Sequence, residues 1–180
     1  MKRPSRRIEA LDQRFLALLG YFHVIWASLD LLLCYGIGAV LKIEAEECHV
    51  LTAGMEFGRK ITVLRNIIHR STHPKRKELI GLLGKIQNES KRNVFAHSFV
   101  LYDEQTLTFI DRTRGGDYQV KLHRFTVDEF AEHVISFGEA VEGLTEILCP
   151  DYENYRRFAL AAFSAETKPT KSPVPPSSKA

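Results

Sequence analysis

The chain has 180 residues, 44% hydrophobic and 26% charged, with a formal net charge of +3. This is an ordinary globular composition that suits one domain with a sizeable core, and its mild positive excess permits an anionic partner without demanding one. The three cysteines, Cys34, Cys48 and Cys149, are odd in number and widely spaced. They exclude a disulfide framework and a cysteine-based zinc motif, and they fit a reducing, cytoplasmic compartment.

Residues 1–7, MKRPSRR, form a basic extension. Residues 15–41 are long and apolar, which could mimic a membrane anchor. His23 and Asp30 interrupt that stretch, and an aspartate at the bilayer centre costs about 2.5–3.5 kcal/mol on insertion scales. The expectation is a buried bundle helix and no membrane span. Residues 8–43 read as one long helix, or two joined near Gly20. Ile8, Leu11, Phe15, Phe22 and Leu29 fall on one apolar stripe. Leu16, Leu19, His23, Trp26, Asp30 and Leu33 fall on a second. A helix apolar on two faces is buried on two sides, one against its own domain and one against a further helix or a second copy of the chain.

An acidic connection leads to a second helix over residues 48–70. Ser71 to Pro74 breaks it, because proline disfavours helix in the residue before it. A third helix starts at Pro74, a good first-turn residue. Leu79, Leu83, Ile86, Asn93, Val94 and His97 share one broad face of it, which places Asn93 and His97 towards the apolar side. The pattern then changes to period two, with short strands over residues 99–101, 106–110 and 118–122. Gly115-Gly116 supplies the turn between the last two. Thr126-Val127-Asp128-Glu129 has the capping-box pattern and opens a fourth long helix, which Cys149-Pro150 ends. A short helix follows within residues 150–165. Residues 166–180 are rich in Pro, Ser, Thr and Lys and are expected to be disordered. The predicted fold is mainly α. It is a four-to-five-helix bundle over residues 8–149, with a small β-hairpin or meander at about 99–125 inserted before the last long helix.

Most sites of familiar chemistry have no match in the chain. His69 and His73 have helical ligand spacing, but Pro74 puts His73 at a break, and HExxH and CxxC do not occur. No metal site and no cofactor are expected. Gly81 and Gly84 fail the phosphate-loop spacings, and there is no GxSxG elbow. The basic run HRSTHPKRK, with Arg70, Lys75, Arg76 and Lys77, could meet RNA phosphates, or could be a solvated loop.

Arg92-Asn93-Val94-Phe95-Ala96-His97 stands out. Arginine holds phosphate through paired hydrogen bonds, and histidine passes protons near neutrality. Together they suit metal-free RNA cleavage, with a ribose 2′-hydroxyl attacking the adjacent phosphate. His97 would then be general acid or base, Arg92 would hold the developing charge, and Asn93 would orient either group. The same residues also fit a structural polar clasp, in which Asn93 and His97 satisfy each other and the Asp30 and His23 of the first helix.

With Trp26-Ala27-Ser28-Leu29-Asp30 ahead of it, this RN-to-H motif late in the third helix resembles that of the HEPN superfamily of all-α domains. The likeness covers roughly residues 8–148. It implies catalytic roles for Arg92, Asn93 and His97, with Asp30, His23 and Trp26 in support. It also implies a homodimer, here through the first and third helices, that brings two motifs into one cleft. Active members are metal-independent endoribonucleases of defence or toxin–antitoxin systems, so RNA and an antitoxin or other protein are the implied partners. Other members are non-catalytic dimeric scaffolds. The β insertion after His97 departs from a compact HEPN toxin.

Overall fold

A computed structural model of the chain describes residues 6–103, 106–112 and 119–166. Helix α1 (Arg6–Leu41) runs through Gly20 as one helix. It packs against α3 (Phe57–Arg70) and α6 (Val127–Leu148), and α4 (Arg76–Glu89) packs against the same two helices, which closes a four-helix ring. The ring encloses Phe22, Leu29, Leu33 and Ile37 of α1, Ile61, Leu64 and Ile68 of α3, Leu79, Leu83 and Ile86 of α4, and Val134, Phe137 and Leu144 of α6, all buried. Gly36 lets α1 approach its neighbours closely. A Cβ there would stand 2.9 Å from Leu148 and 3.2 Å from Leu64.

The two-sided burial expected of α1 holds only along its C-terminal half. Leu33 and Ile37 of the second stripe are buried, whereas Leu16 and His23 are exposed. Tyr21 and Val24 also face solvent. Residues Gln13–Leu41 are long and apolar enough to cross a membrane. In this fold the stretch lines a bundle core, and the architecture is compatible with a soluble protein.

Two predicted helices are each split in two. The second becomes α2 (Ala45–Thr52) and α3, with Gly54 in the gap. The third becomes α4 and a short α5 (Arg92–His97), separated at Ser90 and Lys91. Lys91 takes φ 29° and ψ 25°, a left-handed backbone that cannot continue the helix.

Strands β1 (Phe99–Tyr102), β2 (Thr106–Arg112) and β3 (Val120–Thr126) form an antiparallel sheet in the order β1-β2-β3. The third strand therefore runs further than residues 118–122. The Gly115-Gly116 turn and the tail from residue 167 lie outside the described residues. Leu107 and Phe109 point inward and are buried. Phe109 meets Phe15 of α1, Phe95 of α5 and Phe130 of α6 at 6.2, 4.9 and 5.7 Å between ring centroids. The capping box forms as the sequence pattern predicts. The Glu129 N–H donates to Thr126 Oγ1 at 3.1 Å, and the Thr126 N–H donates to Glu129 Oε2 at 2.7 Å. Helix α7 (Tyr152–Glu166) packs against α2 and the end of α1.

One buried charge in the ring has no counterpart in the sequence reading. Lys60 of α3 donates from Nζ to Asp30 Oδ2 at 2.7 Å, with side-chain exposures of 8% and 41%. Burial alone pulls the Lys60 pKa down, but the hydrogen bond to Asp30 and the charges of Asp30 and Cys34 outweigh it and raise the pKa above 10.5. The raised value means that the stabilisation from charging Lys60 is present below pH 10.5 and is lost as pH climbs through the higher folded value. Asp30→Ala should cost about 1–3 kcal/mol by orphaning the ammonium, less than for a fully buried pair because Asp30 meets solvent. Thermal denaturation at neutral pH should show a fall in Tm of several degrees, and the double variant Asp30→Leu/Lys60→Met should recover much of it.

Candidate functional site

Helix α5 is held by two side chains. Val94 and Phe95 are buried, and the Phe95 ring lies 5.0 Å from Phe22, 4.9 Å from Phe109 and 5.2 Å from Phe130. With those two inward, Arg92, Asn93 and His97 are all exposed. The expectation that Asn93 and His97 lie on the apolar face is overturned. It assumed that the stripe of Leu79, Leu83 and Ile86 continued unbroken, and the left-handed turn at Lys91 rotates α5 out of that register.

The polar clasp is not formed. The Asp30 carboxylate is bonded to Lys60 rather than to Asn93 or His97. His23 is exposed and stands edge-on to the Phe22 ring at 5.6 Å.

Trp26 does meet the motif. A cleft of ≈ 680 Å³ opens between α1, the start of α3, the end of α4 and α5, lined among others by Trp26, Phe57, Gln87, Lys91, Arg92 and Asn93. Trp26 is stacked on Phe137 at 6.2 Å on the core side and meets Phe57 at 4.0 Å. The Arg92 guanidinium lies over the indole ring, 5.9 Å from its centroid. Such cation–π contact holds the guanidinium in place without consuming its hydrogen-bond donors. His97 does not line this cleft. It follows Arg92 by five residues, which on a helix turns it about 140° away. Within one chain the two side chains diverge.

Behind α5, His133 of α6 packs against Phe95 at 5.4 Å, and its Nε2 is buried with no partner among the described residues. Burial, and then the positive charge of Lys91, hold its pKa below 6.5, against a smaller upward pull from Glu89. Lys91 itself reaches over the Phe125 ring at 5.3 Å.

Arg70, Lys75, Arg76 and Lys77 lie at the far end of α3 and the near end of α4, all exposed. The length of α3, about 20 Å, separates them from the Arg92 cleft. Lys75 to Lys77 border a second cleft of ≈ 520 Å³. Arg76 Nη1 donates to the His69 carbonyl at 3.4 Å, and Lys75 pairs loosely with Glu78 at 4.0 Å. Among the described residues no group of three His, Cys, Asp or Glu side chains could hold a metal ion. Sequence reasoning missed Phe57 and Gln87 as cleft residues. Neither carries a motif, and only the break before α3 and the end of α4 bring them to Trp26.

No family model, curated protein or solved structure matches the chain.

Trp26 is the chain's sole tryptophan, so it reports on the cleft directly. Arg92→Ala should shift its fluorescence emission and leave the far-UV circular dichroism unchanged. His97→Ala should alter neither the emission nor the Tm, because the imidazole is exposed. His133 gives a pH signature. A pKa depressed in the fold means that the unfolded chain takes up the proton first, so stability falls as pH drops below 6.5 towards the lower folded value. His133→Phe should flatten the acid-side loss of Tm between pH 7 and pH 5.

Proposed function

We propose that the chain is a HEPN-like, homodimeric, cytoplasmic protein with metal-independent endoribonuclease chemistry at Arg92, Asn93 and His97. The observation that carries this reading is the Arg92 guanidinium, fixed over Trp26 at an open cleft beside Asn93. In the proposed step the 2′-hydroxyl attacks the neighbouring phosphorus and the bond to the 5′-oxygen breaks. A 2′,3′-cyclic phosphate and a 5′-hydroxyl result. One imidazole takes the 2′-proton or delivers a proton to the leaving oxygen, and Arg92 neutralises the added charge on the phosphoryl oxygens. Since His97 and Arg92 diverge within one chain, His97 of the partner subunit completes the cleft. The exposed Leu16, Tyr21 and Val24 on α1 support a second copy seated on that helix. A defence or toxin–antitoxin setting, with an antitoxin or another protein as partner, belongs to the same resemblance.

The second reading is a non-catalytic dimeric binding or scaffold protein. It is favoured by the separation of His97 from the cleft, although its polar-clasp rationale is lost. The test is cleavage of single-stranded RNA in the presence of EDTA. Arg92→Ala and His97→Ala should each lower the rate by about 100-fold or more, and co-expression of the two variants should restore part of it through mixed dimers. Undiminished cleavage by His97→Ala would remove that residue from the chemistry. RNA binding without cleavage by the unmodified protein would favour the scaffold.

A further inference from the structure

The net charge of +3 conceals a strong separation. Helix α6 carries Asp128, Glu129, Glu132, Glu139, Glu142 and Glu146 and no lysine or arginine. Helix α3 carries Arg59, Lys60, Arg65 and Arg70 and no acid. In the ring, α1 and α4 each touch both of these helices, so α3 and α6 stand at opposite corners. One corner of the bundle repels anions and the other attracts them.

The attractive corner is also grooved. Gln87 of α4 lines both the Arg92 cleft and a smaller cleft of ≈ 190 Å³ between α3 and α4, whose lining includes Arg65, Asn66 and His69. Arg65 Nη1 donates to Gln87 Oε1 at 3.1 Å across this seam. At its far end, the hydrogen bond from Arg76 to the His69 carbonyl joins it to the cleft of Lys75 and Lys77. Three clefts therefore follow one another along the α3–α4 seam, from Trp26 to residues 71–78, where α3 gives way to α4. Acids line the run only at its ends, Glu56 and Glu78, and Glu78 faces Lys75.

We propose that this seam is a track for single-stranded RNA, entering over Arg76 and Lys77, passing Arg65 and Gln87, and reaching Arg92. Its span of about 20 Å along α3 matches roughly three to six backbone phosphates, from extended to stacked spacing. Two packed helices have axes about 8–10 Å apart, so the groove between them admits one strand and not a duplex. Amide side chains along the track suit base edges. The Trp26 and Phe57 rings at the cleft end offer the apolar surface that an unstacked base needs. An acidic peptide would use the cations but neither the amides nor the aromatic end.

The track rests on RNA being the ligand of the proposed function, but it is tested by binding rather than by cleavage. Fluorescence anisotropy of the full chain is measured with a labelled 12-nucleotide single strand, a trinucleotide and a 12-base-pair RNA duplex, at two salt concentrations. Arg76→Glu/Lys77→Glu should weaken binding of the 12-mer at least 10-fold and lower its salt slope by about two, and should leave the trinucleotide unaffected. Arg156→Glu/Arg157→Glu on α7, an equal change in net charge away from the seam, should have little effect. Equal losses in both double variants, no loss in the seam variant, or a duplex bound as tightly as the single strand would overturn the track. Loss confined to the seam variant in a protein that cleaves nothing would uphold the track and overturn the ribonuclease reading.

Discussion

Lys91 breaks what would otherwise be one helix from Arg76 to His97, and the presentation of the Arg92 motif depends on that break. A left-handed backbone costs an L-residue about 1–2 kcal/mol. The fold offsets this by what the break brings inward. Phe95 is buried, and full burial of such a side chain contributes about 1.5–3 kcal/mol, with aromatic neighbours on three sides. The Lys91 ammonium also lies over the Phe125 ring. The strained residue thus stands where α4, β3 and α5 converge, and its geometry is stabilised by the packing it makes possible.

Phe95 is the pivot of that packing. Its ring touches Phe22 of α1, Phe109 of β2, Phe125 of β3 and both Phe130 and His133 of α6. A six-residue helix has little stability of its own, so α5 is held by these contacts rather than by its backbone. Two consequences meet at the site. The polar residues of α5 are free to face solvent because the apolar ones saturate the inner side. The cleft wall is packed as well, since Trp26 lies against both Phe137 and Phe57.

What could be read from the residues follows from how local each determinant is. The Thr126–Glu129 capping box is a four-residue pattern, and it forms as written. The strands showed through their alternation, and the long core stripe of α6 through its period. The turn at Lys91 was invisible because it carries no Gly or Pro. Ser90-Lys91 has ordinary helix-compatible chemistry, and only the tertiary demand for Phe95 selects the break. Assuming an unbroken helix then reversed the inferred facing of Asn93 and His97. Lys60 was missed for a related reason. A lysine on a helix reads as solvated unless its partner is known, and Asp30 lies thirty residues away on another helix. Of the site, the pairing of Trp26 with the Arg92 motif was legible, whereas the divergence of Arg92 from His97 was not.

The apolarity of α1 has a comparable explanation. Within the stretch from Gln13 to Leu41, the most apolar window of 18 residues has a mean hydropathy of 2.0, with 39% of that window buried. The Asp30–Lys60 pair lies within this stretch, and a carboxylate bonded to an ammonium from a neighbouring helix is a bundle feature. The unburied part includes Leu16, Tyr21 and Val24, with Ile135 of α6 beside the last two along one shallow groove. That face is rimmed by Glu139 and Glu142, so it is an unfavourable place for RNA. Under the proposed dimer the apolar face and the cationic seam have separate tasks. Apolar surface on α1 joins two copies, while the seam on the α3–α4 side stays open to an anionic strand. Under that proposal the two meet only at the Arg92 cleft, bordered by Trp26 of α1 and Gln87 of α4, so the strand reaches the partner at the end of the seam and not along it.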